Sequence, residues 1–139
     1  VSPYRNPGQP ILIVDDDVSS RALLTTVLDH LGFEAEACGS PLQALDILKA
    51  RPVLAVMTDS VMPDMDGCAF SRAIRALDGP AQALPIIAVT GRVEAENKAR
   101  LKAAGCDAVV EKPITIHDLR QALYFTELLS VDRKSGHAA

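Results

Sequence analysis

The stretch Val53-Leu54-Ala55-Val56-Met57-Thr58-Asp59-Ser60-Val61-Met62-Pro63-Asp64-Met65-Asp66-Gly67 decides the fold. It opens as an unbroken apolar run from Val53 to Met57, with Pro52 in front of it. A run so short, containing β-branched residues and entered through a proline, predicts a strand buried on both faces. The run stops at Thr58 and Asp59, and Pro63, Asp64, Asp66 and Gly67 then favour a loop. One carboxylate, Asp59, therefore sits at the carboxyl end of a buried strand. In open α/β sheets that edge is where ligands gather.

A second apolar run, Ile11 to Val14, ends the same way, on Asp15, Asp16 and Asp17. If the two strands are neighbours, several carboxylates meet at one sheet edge. Two unit charges about 4 Å apart repel by about 1 to 4 kcal/mol at effective dielectrics of roughly 80 to 20. Such a cluster needs a cation, and an all-oxygen ligand set suits a hard one such as Mg²⁺.

The rest of the chain repeats the strand–helix unit. Val18 to Leu31 reads as a helix capped by Asp17, with Leu24, Val27, Leu28 and Leu31 as its apolar stripe and Gly32 as its stop. Glu34 to Cys38 is a weaker strand. Ser40, Pro41 and Gln43 mark a helix start, and Leu42, Leu45 and Leu48 are expected to face inward, with Ala44 and Ile47 beside them. Gly67 to about Leu77 reads as a third helix with Phe70, Ile74 and Leu77 on one face, broken by Asp78-Gly79-Pro80. Ile86 to Val89 is a fourth strand ending on Thr90, and Glu94 to Ala104 is a polar helix closed by Gly105. Ala108 to Val110 is a fifth strand ending at Glu111-Lys112-Pro113. Thr115 caps a last helix whose inner face is Ile116, Leu119 and Leu123. The proline-rich segment 1–10 reads as an arm, 11–130 as the folded domain and 131–139 as a flexible tail. Five short apolar strands alternating with five helices imply a parallel sheet covered on both faces. Right-handed crossovers then put every strand's carboxyl end on one edge.

At 139 residues the chain is one domain, and a net charge of −4 gives it no electrostatic reason to bind nucleic acid. No apolar stretch reaches the length of a membrane span, and no secretory signal is recognised at the start. The first residue is Val1, which fits an excised piece of a larger protein. Cys38, Cys68 and Cys106 are widely spaced and read as small apolar fillers rather than metal ligands.

The shared edge would carry Asp15, Asp16, Asp59, Thr90 and Lys112. That set suits holding a divalent cation and a phosphoryl group together, with Asp59 as nucleophile. These residues, in this order and at these separations, together with Met62-Pro63, Asp66-Gly67 and Lys112-Pro113, resemble the receiver domain of two-component response regulators. The resemblance covers about Ile11 to Ser130. It implies a flavodoxin-like doubly wound (βα)5 fold with five parallel strands in the order 2-1-3-4-5. It further implies that Asp59 accepts a phosphoryl group from a phosphohistidine on a partner. Mg²⁺ would be held by Asp16, by Asp15 through water, by Asp59 and by the backbone carbonyl of Val61. Lys112 would pair with the phosphoryl group, Thr90 would hydrogen-bond to it, and the Lys112–Pro113 bond would be cis.

Phe70 to Leu77, Gly79-Pro80 and Lys112-Pro113-Ile114 look most like receivers fused to hybrid sensor kinases. The implied partners are a sensor histidine kinase domain, a histidine phosphotransfer module, or both. The implied setting is the cytoplasm, including the cytoplasmic part of a membrane-bound sensor, with no membrane or nucleic-acid contact by this domain. A dimer through the fourth helix, fifth strand and fifth helix is a further expectation. Val109 departs from the pattern, since many relatives carry an aromatic ring three residues before the lysine. Arg92 and Val61 lie where side chains tune dephosphorylation.

Three rivals are worth naming. Asp15-Asp16-Asp17-Val18 superficially fits the signature of haloacid dehalogenase-type phosphatases, with Asp15 as nucleophile. A flavin-binding domain of similar shape would find its phosphate repelled by the aspartate triplet. A stand-alone or degenerate receiver acting only as a binding module is the third. Among blander roles, Asp17 reads as a helix cap, Asp64 and Asp66 as turn formers, Met57, Met62 and Met65 as packing, and His30 and His117 as exposed helix residues. Tyr124, Phe125, Leu128 and Leu129 extend the last helix's apolar surface.

Overall fold

Strand β3 (Ala55–Asp59) is fully buried along its length and stands at the centre of the sheet. It pairs in parallel with β1 (Ile11–Val14) on one side and β4 (Ile86–Thr90) on the other. Strand β2 (Ala35–Cys38) flanks β1, and β5 (Ala108–Glu111) flanks β4, giving the order β2-β1-β3-β4-β5. Five helices complete the alternation: α1 (Val18–His30), α2 (Pro41–Ala50), α3 (Gly67–Arg75), α4 (Ala95–Ala103) and α5 (Ile116–Phe125). A 3₁₀ turn at Pro80–Ala83 leads into β4. The computed structural model describes residues 8–92 and 94–126, so most of the arm, Leu128, Leu129 and the tail lie outside the described residues.

The five-stranded doubly wound sheet is the fold expected from the alternation, in the order expected from the family likeness. Its strands are short apolar runs because both faces are covered. On one face Ile11, Ile13, Met57, Val89 and Val110 pack against Leu24 and Leu28 of α1 and Leu119 and Leu123 of α5. On the other, Leu12, Val14, Val56, Ile86 and Ala88 pack against Ala44 of α2, Phe70 and Ile74 of α3, and Leu101 of α4. Each layer follows from the two-residue alternation of strand side chains.

Helix starts follow local chemistry. The Asp17 carboxylate accepts the Ser20 N–H, the Ser40 hydroxyl accepts the Leu42 and Gln43 N–H groups, and the Thr115 hydroxyl accepts the Asp118 N–H. Asp66, expected only as a turn former, caps α3 by accepting the Ala69 N–H. Gly32, at φ 94°, takes the left-handed conformation that ends α1.

Four expectations need correction. Leu42 is 55% exposed, because the face of α2 that meets the sheet is Pro41, Ala44 and Leu48. Ile116, in the first turn of α5, is 36% exposed, and Leu119, Ala122 and Leu123 form the buried face. Strand β3 begins at Ala55 rather than Val53, and α3 ends at Arg75 rather than Leu77. Met57, Met62 and Met65 pack as expected, His30 and His117 are exposed, and the three cysteines are free and buried.

Candidate functional site

Register brings the acidic residues together. Val14 lies opposite Thr58 in the β1–β3 ladder, so Asp15 and Asp59 follow at the same level. Asp59 shares the alternation phase of Met57, on the α1–α5 side of the sheet. Lys112 follows Glu111 at the end of β5, and its N–H donates to the Thr90 carbonyl at 2.8 Å. Its Nζ reaches across β4 to lie 3.2 Å from Asp59 Oδ1 and 3.7 Å from Asp15 Oδ2. The Lys112–Pro113 peptide is cis.

Asp15 is completely buried and Asp59 nearly so, whereas Asp16 is exposed at the mouth. Carboxylate oxygens of Asp15, Asp16 and Asp59 lie within 4.8 Å of one another. Oδ1 of Asp15 accepts the Asp17 N–H at 2.9 Å, but its Oδ2 is buried without a hydrogen-bond partner among the described residues. Burial pushes the Asp15 carboxyl above its ordinary pKa. The Asp17 N–H and the Lys112 charge oppose that rise, while the negative charges of Asp59 and Asp16 add to it. A buried carboxylate oxygen that receives no N–H or O–H and faces other carboxylates is a good cation ligand. An all-oxygen donor set of this kind fits a hard divalent cation such as Mg²⁺. Asp17, by contrast, is held below its ordinary pKa chiefly by the Ser20 N–H and then by the Ser20 hydroxyl, in keeping with a cap.

The loop after β3 is tied down around Asp59. Ser60 N–H donates to the Val89 carbonyl at 3.1 Å, and Gly67 N–H donates to the Ser60 carbonyl at 3.0 Å. A Cβ on Gly67 would stand 2.9 Å from Ser60 Cα and 3.0 Å from the Asp59 carbonyl oxygen, so only glycine allows this approach. Val61 lies at the same mouth, exposed, with its N–H 3.4 Å from Asp59 Oδ1.

Asp15, Asp16, Asp59 and Lys112 are thus brought together. Thr90 is at the same edge, but its hydroxyl does not contact Asp59: it accepts from the Ser60 hydroxyl at 2.8 Å and from the Arg92 N–H at 3.0 Å. Three residues escaped sequence reasoning. Ser60 is one. Arg21 donates to the Asp15 carbonyl at 2.8 Å and occupies space that a side chain at Gly39 would fill. Asn97, buried in an otherwise polar helix, donates to the Arg92 carbonyl and accepts from Arg100. Only the neighbour relation of β3 and β4 could have signalled Ser60. A lone asparagine facing inward on α4 was the available signal for Asn97.

Residues 11–124 match the model of the response regulator receiver domain. The chain belongs to this family. As a receiver domain it is 35% identical over 118 residues to the sensor histidine kinase RcsC of Escherichia coli strain K12, covering 85% of this chain and 12% of that protein. It is also 35% identical over 114 residues to a probable chemotaxis protein CheY of Rhizobium etli, covering 81% of this chain and 88% of the other. The receiver domain of a Pseudomonas aeruginosa sensor histidine kinase superposes with a TM-score of 0.77 at 26% identity, covering 86% of this chain and 97% of that one. That structure was solved with a magnesium ion coordinated in its active site cleft. The chain therefore spans only a small part of the sensor kinase it matches and most of the CheY protein. Membership of the receiver family removes the phosphatase and flavin rivals. No helix among the described residues is long and apolar enough to cross a membrane.

Proposed function

We propose that this receiver domain accepts a phosphoryl group on Asp59 from a phosphohistidine of a partner protein. The observation that carries the reading is the convergence of three carboxylate oxygens within 4.8 Å beside the Lys112 ammonium. Asp59 attacks phosphorus: the new O–P bond forms as the P–N bond to the donor imidazole breaks, and the imidazole leaves. Asp15, Asp16, Asp59 and the Val61 carbonyl are the residues that would hold Mg²⁺. When bound, that ion neutralises the carboxylates and the incoming phosphoryl oxygens. Lys112, already against Asp59, supplies the second positive charge and offsets the repulsion between an anionic nucleophile and an anionic donor. Thr90 would take a hydrogen bond to the phosphoryl group once it is in place. The product adds about 1.5 to 2 negative charges, enough to bias the β4–α4 region between two arrangements.

Likeness to sensor histidine kinases supports a place within a hybrid kinase, with a kinase domain as donor and a histidine phosphotransfer module as recipient. That setting is the cytoplasm, including the cytoplasmic part of a membrane-bound sensor. The α4–β5–α5 face, where Lys98, Lys102, Val109, Glu111 and Phe125 line a groove, is where a dimer would form.

Incubating the chain with Mg²⁺ and acetyl phosphate tests the reading. Mass spectrometry should find an acyl phosphate on Asp59 that is absent in Asp59→Ala. A folded protein with no label on Asp59 would leave only the degenerate binding module standing.

A further inference from the structure

We propose that Ser60 is a positioning residue that latches Thr90 away from Asp59 before phosphorylation. The inference rests on the reading of Asp59 as phosphoacceptor and concerns how the same site switches.

The sheet itself separates the two groups. Thr90 is in the alternation phase of Ile86 and Ala88, on the face covered by α2, α3 and α4. Asp59 is in the phase of Met57, on the opposite face. Ser60 follows Asp59 by one residue and so falls on the side of Thr90. The Ser60 N–H is fixed to the Val89 carbonyl, which sets the Ser60 side chain directly beside its neighbour on β4. The Ser60 hydroxyl then donates to Thr90 Oγ1 at 2.8 Å.

A threonine hydroxyl offers two acceptor positions and one proton. Here both acceptor positions are taken, one by the Ser60 hydroxyl and one by the Arg92 N–H. Thr90 is also 1% exposed, so water does not compete for it. To donate its remaining proton to an oxygen carried by Asp59, on the opposite face of the sheet, Thr90 has to swing its hydroxyl away from Ser60. The contact therefore stabilises the unphosphorylated arrangement and opposes the phosphorylated one. The position three before Lys112 is Val109, so no aromatic ring there contributes to this choice. The side chain next to the nucleophile sets it instead.

The test uses the chain of 139 residues with Mg²⁺ and beryllofluoride, a phosphoryl mimic that binds an aspartate carboxylate. Ser60→Ala should bind the mimic about 2- to 12-fold more tightly than the parent, the weight of one net hydrogen bond. Ser60→Thr keeps the hydroxyl and should behave as the parent. In a Thr90→Ala background, Ser60→Ala should bring no further gain, because the partner is gone. A second readout needs neither metal nor mimic: the Arg92 amide resonance should shift in Ser60→Ala and stay in place in Ser60→Thr. Unchanged or weaker mimic binding by Ser60→Ala, with Asp59 of the parent still labelled by acetyl phosphate, overturns the latch alone. Failure of the parent to label on Asp59 overturns the phosphoacceptor reading and the latch with it.

Discussion

Lys112 Nζ lies 3.2 Å from Asp59 Oδ1, although the two residues are 53 positions apart in the chain and separated in the sheet by β4. That reach gives the proposed phosphoacceptor a cation before any donor arrives. A unit charge pair at this separation is worth about 1 to 5 kcal/mol across effective dielectrics of roughly 80 to 20. Lys112→Ala is therefore expected to slow Asp59 labelling by acetyl phosphate about tenfold or more, since about 1.4 kcal/mol is a factor of ten. Lys112→Ala that labels at the parental rate would show that the lysine contributes no charge stabilisation.

Mg²⁺ should stabilise the fold as well as the chemistry. Asp15 Oδ2 is buried without a hydrogen-bond partner among the described residues and faces cationic charge only from Lys112, at 3.7 Å. At ten times its dissociation constant, a ligand that binds only the native state adds about 1.4 kcal/mol, roughly 5 °C in Tm for a chain of this size. Thermal scans with and without Mg²⁺ should show that rise, and Asp16→Ala should need several-fold more Mg²⁺ to reach it. An equal response from Asp16→Ala would remove Asp16 from the ligand set.

Gly67 decides where the β3–α3 loop runs. Its hypothetical Cβ would meet backbone atoms of Asp59 and Ser60 at 3.0 and 2.9 Å, and backbone cannot yield as a flexible side-chain end can. Gly67→Ala should cost about 1 to 3 kcal/mol, the usual range for overpacking. Because the displaced atoms include the carbonyl oxygen of Asp59 itself, labelling of Asp59 should also slow. Denaturant titration and acetyl phosphate kinetics on the same sample check both parts; loss of stability with normal kinetics would confine Gly67 to packing.

How far this was readable beforehand depends on the residue. Asp15, Asp59, Thr90 and Lys112 were legible because each ends a short apolar run, and parallel strands send all such ends to one edge. The strand order was not in the pattern and came only with the family likeness. Leu42 misled because α2 carries two overlapping stripes. Pro41, Ala44 and Leu48 form one, and Leu42 and Leu45 sit one residue on, about 100° further round the helix. The small residues Pro41 and Ala44 won because they let the helix lie close to β1 and β2. Ser60 carries no signal of its own, and the asparagine in α4 hints only at burial: their roles exist only once β4 lies beside β3 and Arg92 turns its carbonyl toward α4.

Arg75 ties the opposite end of the sheet. Its guanidinium donates to the carbonyls of Gln82, Leu84 and Gly105 and to the Asp107 carboxylate, which in turn accepts the Ile86 N–H at 2.8 Å. One planar fork thus joins α3, the 3₁₀ turn and the α4–β5 connection. Arg75→Ala should destabilise by about 1 to 3 kcal/mol through the acceptors left behind, while Asp59 labelling of the folded fraction stays normal. Arg75→Lys should not rescue stability, because an ammonium cannot reproduce the fork. Full rescue by lysine would show that charge alone matters at this position.

Cys106 supplies a pH dependence remote from the carboxylates. Burial pushes its thiol up to about 11 from an ordinary value of 9.0, against the lowering effect of the Ser71 hydroxyl. A thiol raised in the folded state keeps its proton longer there than in the unfolded chain. Its effect on stability is therefore nil below about pH 9 and grows as an increasing loss between about pH 9 and 11, where the unfolded thiol ionises first. The loss approaches about 2 to 3 kcal/mol at the upper end. Cys106→Ala lacks that titration, so the stability difference between parent and variant should shrink in the variant's favour across this window and stay constant from pH 7 to 8.5. Urea midpoints at those pH values measure it, and a difference that is flat through pH 11 would mean that the buried thiol titrates as it does in the unfolded chain.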